Sequence, residues 1–177
     1  MKPTQCECDG YLFDFTDAIN VFKFDETDAS KPTFHGAPMK AVDLIAEFVD
    51  AYVFVELKDY SDQDPDAYNP SASGSTEEVE ARRSSMKWLK NYLKYKYRDS
   101  LLFRQAEGKV DKPIHYVCLM TFDNALSNAF AKLLRPELPV ARHRRWASGI
   151  VKSCHVINFE RWKKNYPAWH VTKLIAT

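Results

Sequence analysis

Hydrophobic and polar positions divide the chain into a few clear elements. Residues 41–48 and 52–58 are two apolar runs rich in β-branched side chains, separated by Val49-Asp50-Ala51. A gap of this size between two such runs predicts an antiparallel hairpin. Asp50-Ala51 is not the favoured Asn-Gly or Asp-Gly pair, which leaves room for a loop longer than two residues. Val79, Met86, Leu89, Leu93 and Tyr97 recur at helical spacing, and Ser75 followed by Glu78 fits a capping box, so a helix is predicted over 76–101. The apolar run 114–121 predicts a buried strand. Asp123 can cap a helix over 124–134, and Pro136 closes it. Residues 150–157 predict a last core strand, and Asn158 can cap a final helix over 159–166 that stops at Pro167. Residues 11–26 fit two readings: a helix over 17–24 capped by Thr16, or a strand in which Val21 and Lys23 alternate with Phe22 and Phe24. Residues 27–38, with Pro32, Gly36 and Pro38, read as a loop, and the acidic Pro- and Ser-rich stretch 59–75 as a mobile loop. The order implies an α/β fold in one domain over 1–177: a mixed β-sheet whose antiparallel hairpin is followed by helix–strand crossovers.

Composition fits that picture. The chain has 177 residues, 45% hydrophobic and 28% charged, enough for a sizeable core. No apolar run approaches the roughly 18 residues of a membrane span, and the opening MKPTQCECDG lacks the apolar core of a secretory signal. Four cysteines are too few for a disulfide scaffold, so reduced thiols and a cytoplasmic protein are expected. The net charge of +1 hides a division. Residues 1–80 carry 18 acids and 5 bases, whereas residues 81–177 carry 6 acids and 20 bases. Either the halves neutralise each other on packing, or an acidic cluster holds a cation beside a basic surface for an anionic polymer.

The chemistry-bearing residues lie on the hairpin. Glu56 and Lys58 are two apart on one strand, so their side chains share a face. A two-residue turn at Asp50-Ala51 sets Ile45 opposite Glu56 and Asp43 opposite Lys58, and residues directly opposite share a face. Asp43, Glu56 and Lys58 then converge, whereas a three-residue turn would send Asp43 to the other side. Two carboxylates and an ammonium among apolar strand residues are costly unless partnered. Oxygen ligands of this kind suit Mg²⁺ or Mn²⁺. Such a cation can polarise a phosphate, and a lysine can orient the attacking water or hold developing charge. Without a cation, the three residues would form a salt-bridged patch on the sheet face. Glu47 shares the face but lies roughly 13 Å from Asp43 along the strand, which places it at the periphery.

The Asp43…Glu56-Leu57-Lys58 arrangement on a hairpin resembles the PD-(D/E)xK nuclease superfamily, with the restriction-endonuclease-like fold. The likeness covers residues 40–60 in motif and reaches about residue 121 in the order hairpin, long helix, strand. It implies that Asp43 and Glu56 hold the metal, with the backbone carbonyl of Leu57 as a further ligand, and that Lys58 serves the water. It also implies an upstream acid in some members, for which Glu26 is the candidate. Val42 stands where the full pattern has proline, which many members also lack.

Arg83, Lys87, Lys90, Lys94 and Arg98 fall within about 80° of one another on the long helix, a basic ridge with Trp88, Tyr92 and Tyr95 on a different face. Lys87, Lys90 and Lys94 are candidates for nucleic-acid contact, as are Arg142, Arg144 and Arg145 in the basic loop 135–149. Each set also reads as a solvated surface. Cys6-Glu7-Cys8 has no second cysteine pair to complete a zinc set, and Cys118 and Cys154 read as core fillers. His35 reads as a turn residue. The absence of a glycine-rich phosphate loop excludes P-loop and dinucleotide enzymes. The leading expectation is a metal-dependent nuclease, with a homodimer or protein partner open. The alternative is a non-catalytic interaction or nucleic-acid-binding protein of the same fold.

Overall fold

A computed structural model describes residues 4–174 apart from 37, 65, 139, 141–143 and 148. Five strands form the central sheet: β3 (Asn20–Lys23), β4 (Leu44–Glu47), β5 (Tyr52–Lys58), β6 (Ile114–Met120) and β7 (Ser153–Ile157), side by side in chain order. β3, β4 and β5 pair antiparallel, and β5, β6 and β7 pair parallel. A second sheet has the order β1 (Gln5–Cys8), β2 (Tyr11–Phe15), β8 (Trp169–Lys173), all antiparallel. The helices are α1 (Thr76–Ala106), α2 (Asn124–Leu134) and α3 (Phe159–Asn165). The protein is therefore mixed α/β, with two sheets. No described helix is long and apolar enough to cross a membrane.

Burial follows the strand alternation. Phe54 of β5 and Tyr116 of β6 pack with Met86, Leu89, Leu93 and Tyr97 of α1 on one face of the central sheet. Val53, Val55 and Leu57 pack on the other face with Phe13, Phe15 and Trp162, under the small sheet and α3. With both faces covered, β6 is apolar along most of its length, as a central parallel strand must be. Each helix start has its own cap. Ser75 and Glu78 form the reciprocal capping box of α1; the Asp123 side chain accepts from Leu126 N–H, and that of Asn158 from Arg161 N–H.

Several details depart from the sequence reading. Residues 20–23 are strand, because Val21 has a place on β4 and in the core. The hairpin loop has four residues, 48–51, closed by Phe48 N–H donating to Ala51 O at 2.8 Å. The register therefore sets Ile45 opposite Phe54 and Leu44 opposite Val55, two residues from the expected pairing. Parity is unchanged, so the face assignment survives. α1 runs five residues past 101, because Phe103 still packs on the core and Arg104 meets a carboxylate of β4. β7 begins at Ser153 rather than 150. The small sheet has no counterpart in the sequence reading. The loop 59–75 is pinned by an aromatic cluster, with the Tyr60 ring 4.7 Å from Tyr68 and 5.4 Å from Phe122.

Candidate active site

Continuing the β4–β5 register by one step brings Asp43 beside Glu56. Both point to the α1 face with Lys58. Asp43 Oδ2 accepts a hydrogen bond from Leu57 N–H at 2.7 Å, which fixes the carboxylate against β5. Lys58 Nζ lies 2.6 Å from Glu56 Oε1 and donates to Leu57 O at 3.0 Å. Asp43, Glu56 and Lys58 are thus brought together, and the Leu57 carbonyl adjoins them.

Two further residues complete the cluster. Lys96 of α1 places its Nζ 2.8 Å from Asp25, 3.1 Å from Asp43 and 3.5 Å from Glu56. Asp25 follows β3, and its N–H and that of Phe24 both donate to Asp43 O. Asp25, rather than Glu26, is thus the upstream carboxylate that shares Lys96 with Asp43. The Glu26 carboxylate turns away into its own loop, bound to Lys31 and to the Asp28 N–H. Tyr92, one turn before Lys96, lies 5.3 Å from Lys58 Nζ and 5.5 Å from Lys96 Nζ at its ring centre.

The electrostatics follow from the count. Three carboxyl groups meet two ammonium groups, with Asp43, Glu56 and Lys96 buried and Asp25 at the exposed edge, so an extra proton is favoured on the buried side. Glu56 is the residue that holds it. It is completely buried, its Oε1 meets the Lys58 ammonium while its Oε2 has no hydrogen-bond partner among the described residues, and its pKa is pushed up to about 8 by burial and then by the Asp43 charge. Burial works to lower the Lys58 and Lys96 pKa values, but the charge that Glu56 carries once ionised, together with that of Asp43, outweighs it and raises both.

Among the described residues one set of three cysteine and carboxylate ligand atoms lies within 4.8 Å of one another: Cys8, Asp9 and Asp43. Cys8 is a poor member, since burial holds its thiol protonated well above the usual range. Cys6 is not part of that set.

The remaining site expectations scatter. Glu47 is indeed distant from Asp43, but it is not peripheral to the fold: it forms a buried ion pair with Arg104 Nη2 at 2.5 Å. Lys90 and Lys94 do not form an open ridge, because both close on Glu137. Lys87, Arg144 and Arg145 are exposed, and Arg142 lies outside the described residues. His35 stacks on Phe103 with ring centres 4.3 Å apart, away from the carboxylates.

A basic groove was missed. It encloses about 610 Å³ between α2, α3 and β7, and Lys132, Arg135, Arg161 and Lys164 line it. None of the four has an ion pair among the described residues. The groove runs along β7, the edge strand of the central sheet, from Asn124 at the start of α2 to Arg135 just past its end. β7 lies two strand positions from β5, on the order of 10 Å across the sheet. The four basic residues come as two pairs, Lys132 and Arg135 at the end of α2 and Arg161 and Lys164 in α3, which meet only in the fold, so no single run of charge announced the groove. Lys96 did have a signal, since it follows Leu93 by three on the buried stripe of α1.

Comparison of the chain with family models, curated proteins and solved structures gives no match, which leaves the functional reading to this geometry.

Proposed function

We propose that the chain is a metal-dependent phosphodiesterase of the PD-(D/E)xK kind, acting on DNA or RNA. The observation that carries this reading is Glu56: a fully buried carboxyl group beside Asp43 whose Oε1 meets Lys58 and whose Oε2 has no hydrogen-bond partner among the described residues. A cation that accepted both carboxylates would remove the cost of that burial. Hard oxygen donors suit Mg²⁺ or Mn²⁺, which would supply Lewis-acid activation of the phosphate and a water of lowered pKa. Asp43 and Glu56 would hold it, with the Leu57 carbonyl as a further donor. Of the three motif residues Asp43, Glu56 and Lys58, Lys58 reaches furthest into solvent, with a side chain 20% exposed. Its ammonium can orient a water and stabilise charge on a phosphate oxygen. The hairpin–helix–strand order and the basic groove along β7 support a nucleic-acid substrate.

A second reading is favoured by one observation. Lys96 Nζ already bridges Asp25, Asp43 and Glu56. If the ammonium serves permanently as the cation of the cluster, the chain is a non-catalytic binding protein on this fold.

Labelled single-stranded DNA, duplex DNA and RNA, each with Mg²⁺, Mn²⁺ or EDTA, separate the two. Metal-dependent cleavage that is lost in Lys58→Ala supports the enzyme. No cleavage by the parent, or equal cleavage by Lys58→Ala, refutes it. Lys96→Met gives an independent check: in the enzyme reading Mg²⁺ raises its melting temperature, and in the second reading Mg²⁺ leaves it unchanged.

A further inference from the structure

We propose that Trp88 is a stacking platform for an unpaired nucleobase, and that the substrate is therefore a single strand or a splayed end. This rests on the phosphodiesterase reading and names its substrate class. Trp88 is 58% exposed on α1, off the buried stripe made by Met86, Leu89 and Leu93. Helix propensity gives no reason for tryptophan at a solvent-facing helical position, where Lys, Glu or Ala would serve better. Among the described residues its one ring contact is with Tyr92, at 5.1 Å between centres and 19° between planes.

Tyr92 links this exposed ring to the carboxylate cluster. Three ammonium groups approach its ring: Lys40 at 4.3 Å, Lys58 at 5.3 Å and Lys96 at 5.5 Å. An aromatic pair therefore runs outward from Lys58 for about one helical turn, or about 5.4 Å. The chemistry at its two ends differs. The inner end is cationic and suits a phosphate, whereas the outer end is a broad open π face. A nucleotide offers both features in one unit: an anionic phosphate and a flat base. A protein partner would need a wider apolar patch, but Ser84, Ser85, Lys87 and Asn91 surround Trp88 in sequence and along the helix. A base inside a duplex has both faces covered by its neighbours, so only an unpaired base can use the platform. Stacking tolerates any base, which implies weak sequence preference.

The test is binding of the full chain to fluorescein-labelled oligonucleotides in EDTA, where no cleavage occurs, read by anisotropy. The probes are a single-stranded oligo(dT), the same strand with abasic sites, and a blunt duplex of equal length. Loss of one stacked base gives a weakening of about tenfold or more. Trp88→Ala is expected to weaken oligo(dT) binding by that factor and to leave the abasic strand unchanged. Trp88→Phe should recover part of the loss, and the melting temperature should not move. Unchanged oligo(dT) binding by Trp88→Ala, an equal loss on the abasic strand, or a preference of the parent for the blunt duplex each overturns the proposal. Cleavage assays keep the two readings apart. A parent that binds through Trp88 but never cuts retains the platform and loses the enzyme. A parent that cuts, with KM on oligo(dT) unchanged in Trp88→Ala, retains the enzyme and loses the platform.

Discussion

Replacing Glu56 with glutamine tests the electrostatic account of the site without reference to catalysis. Glu56 is fully buried, and its pKa stands at about 8 against an ordinary 4.5. Each unit of that separation is worth 1.36 kcal/mol, so ionising the buried carboxyl costs about 5 kcal/mol in full. The sign follows from proton counts. Between the two pKa values the folded chain keeps a proton that the unfolded chain has released. Stability therefore falls as pH rises through this window, by about 1.4 kcal/mol per unit, and levels off above pH 8. Glutamine keeps the shape and removes the titration. Other groups that titrate in the window, including His115 and His155, are common to both proteins and cancel in the difference.

The assay is thermal or urea unfolding of parent and Glu56→Gln in EDTA, from about pH 5.5 to about pH 8.5. Over the rising part of the window the advantage of the variant should grow by about 3 kcal/mol. For a chain of this size that is a widening gap of roughly 6–12 °C in Tm. A gap independent of pH would mean that Glu56 is ionised throughout, neutralised by Lys58 and Lys96. The shared-proton account would then be wrong.

Two further outcomes follow from other parts of the molecule. Arg104→Ala strands the buried Glu47 carboxylate and should cost about 3–5 kcal/mol of unfolding free energy, measured by urea denaturation; a loss below about 1 kcal/mol would show that water reaches the pair. Lys132→Glu combined with Lys164→Glu should weaken oligonucleotide binding across all sequences and flatten its dependence on salt by a slope of about 2, read from titrations at several salt concentrations. An unchanged slope would place the nucleic acid elsewhere.

Much of the architecture was legible because it rests on local signals. The hairpin, the capping box at Ser75 and the caps at Asp123 and Asn158 depend on residues within a few positions of one another. Convergence of Asp43, Glu56 and Lys58 was legible for the same reason, since it needs only strand parity and not the particular register. The small sheet was less so. Asp9-Gly10 is a hairpin signal, and both residues adopt positive φ between β1 and β2. Its third strand, β8, arrives from residue 169 onward, and nothing local announces that long-range pairing.

The partners that α1 brings to the carboxylates show where local reading stops. Lys96 and Arg104 both lie on the buried stripe, eight residues apart, or about 12 Å along a helix. Asp43 and Glu47 lie four apart, or roughly 13 Å along a strand. The two spacings match, and the ion pairs form as Lys96–Asp43 and Arg104–Glu47. α1 is thus set along β4 by two buried charge pairs as well as by its apolar half. Neither segment announces the match alone, because 1.5 Å per residue on a helix meets 3.3 Å on a strand only after the two dock in parallel. Sliding α1 by one turn would leave four buried charges unpaired, a cost larger than any packing gain from one shifted turn. The contact that sets the helix therefore also delivers Lys96 to Asp43 and Glu56. Stability and the chemistry of the site consequently depend on the same side chains.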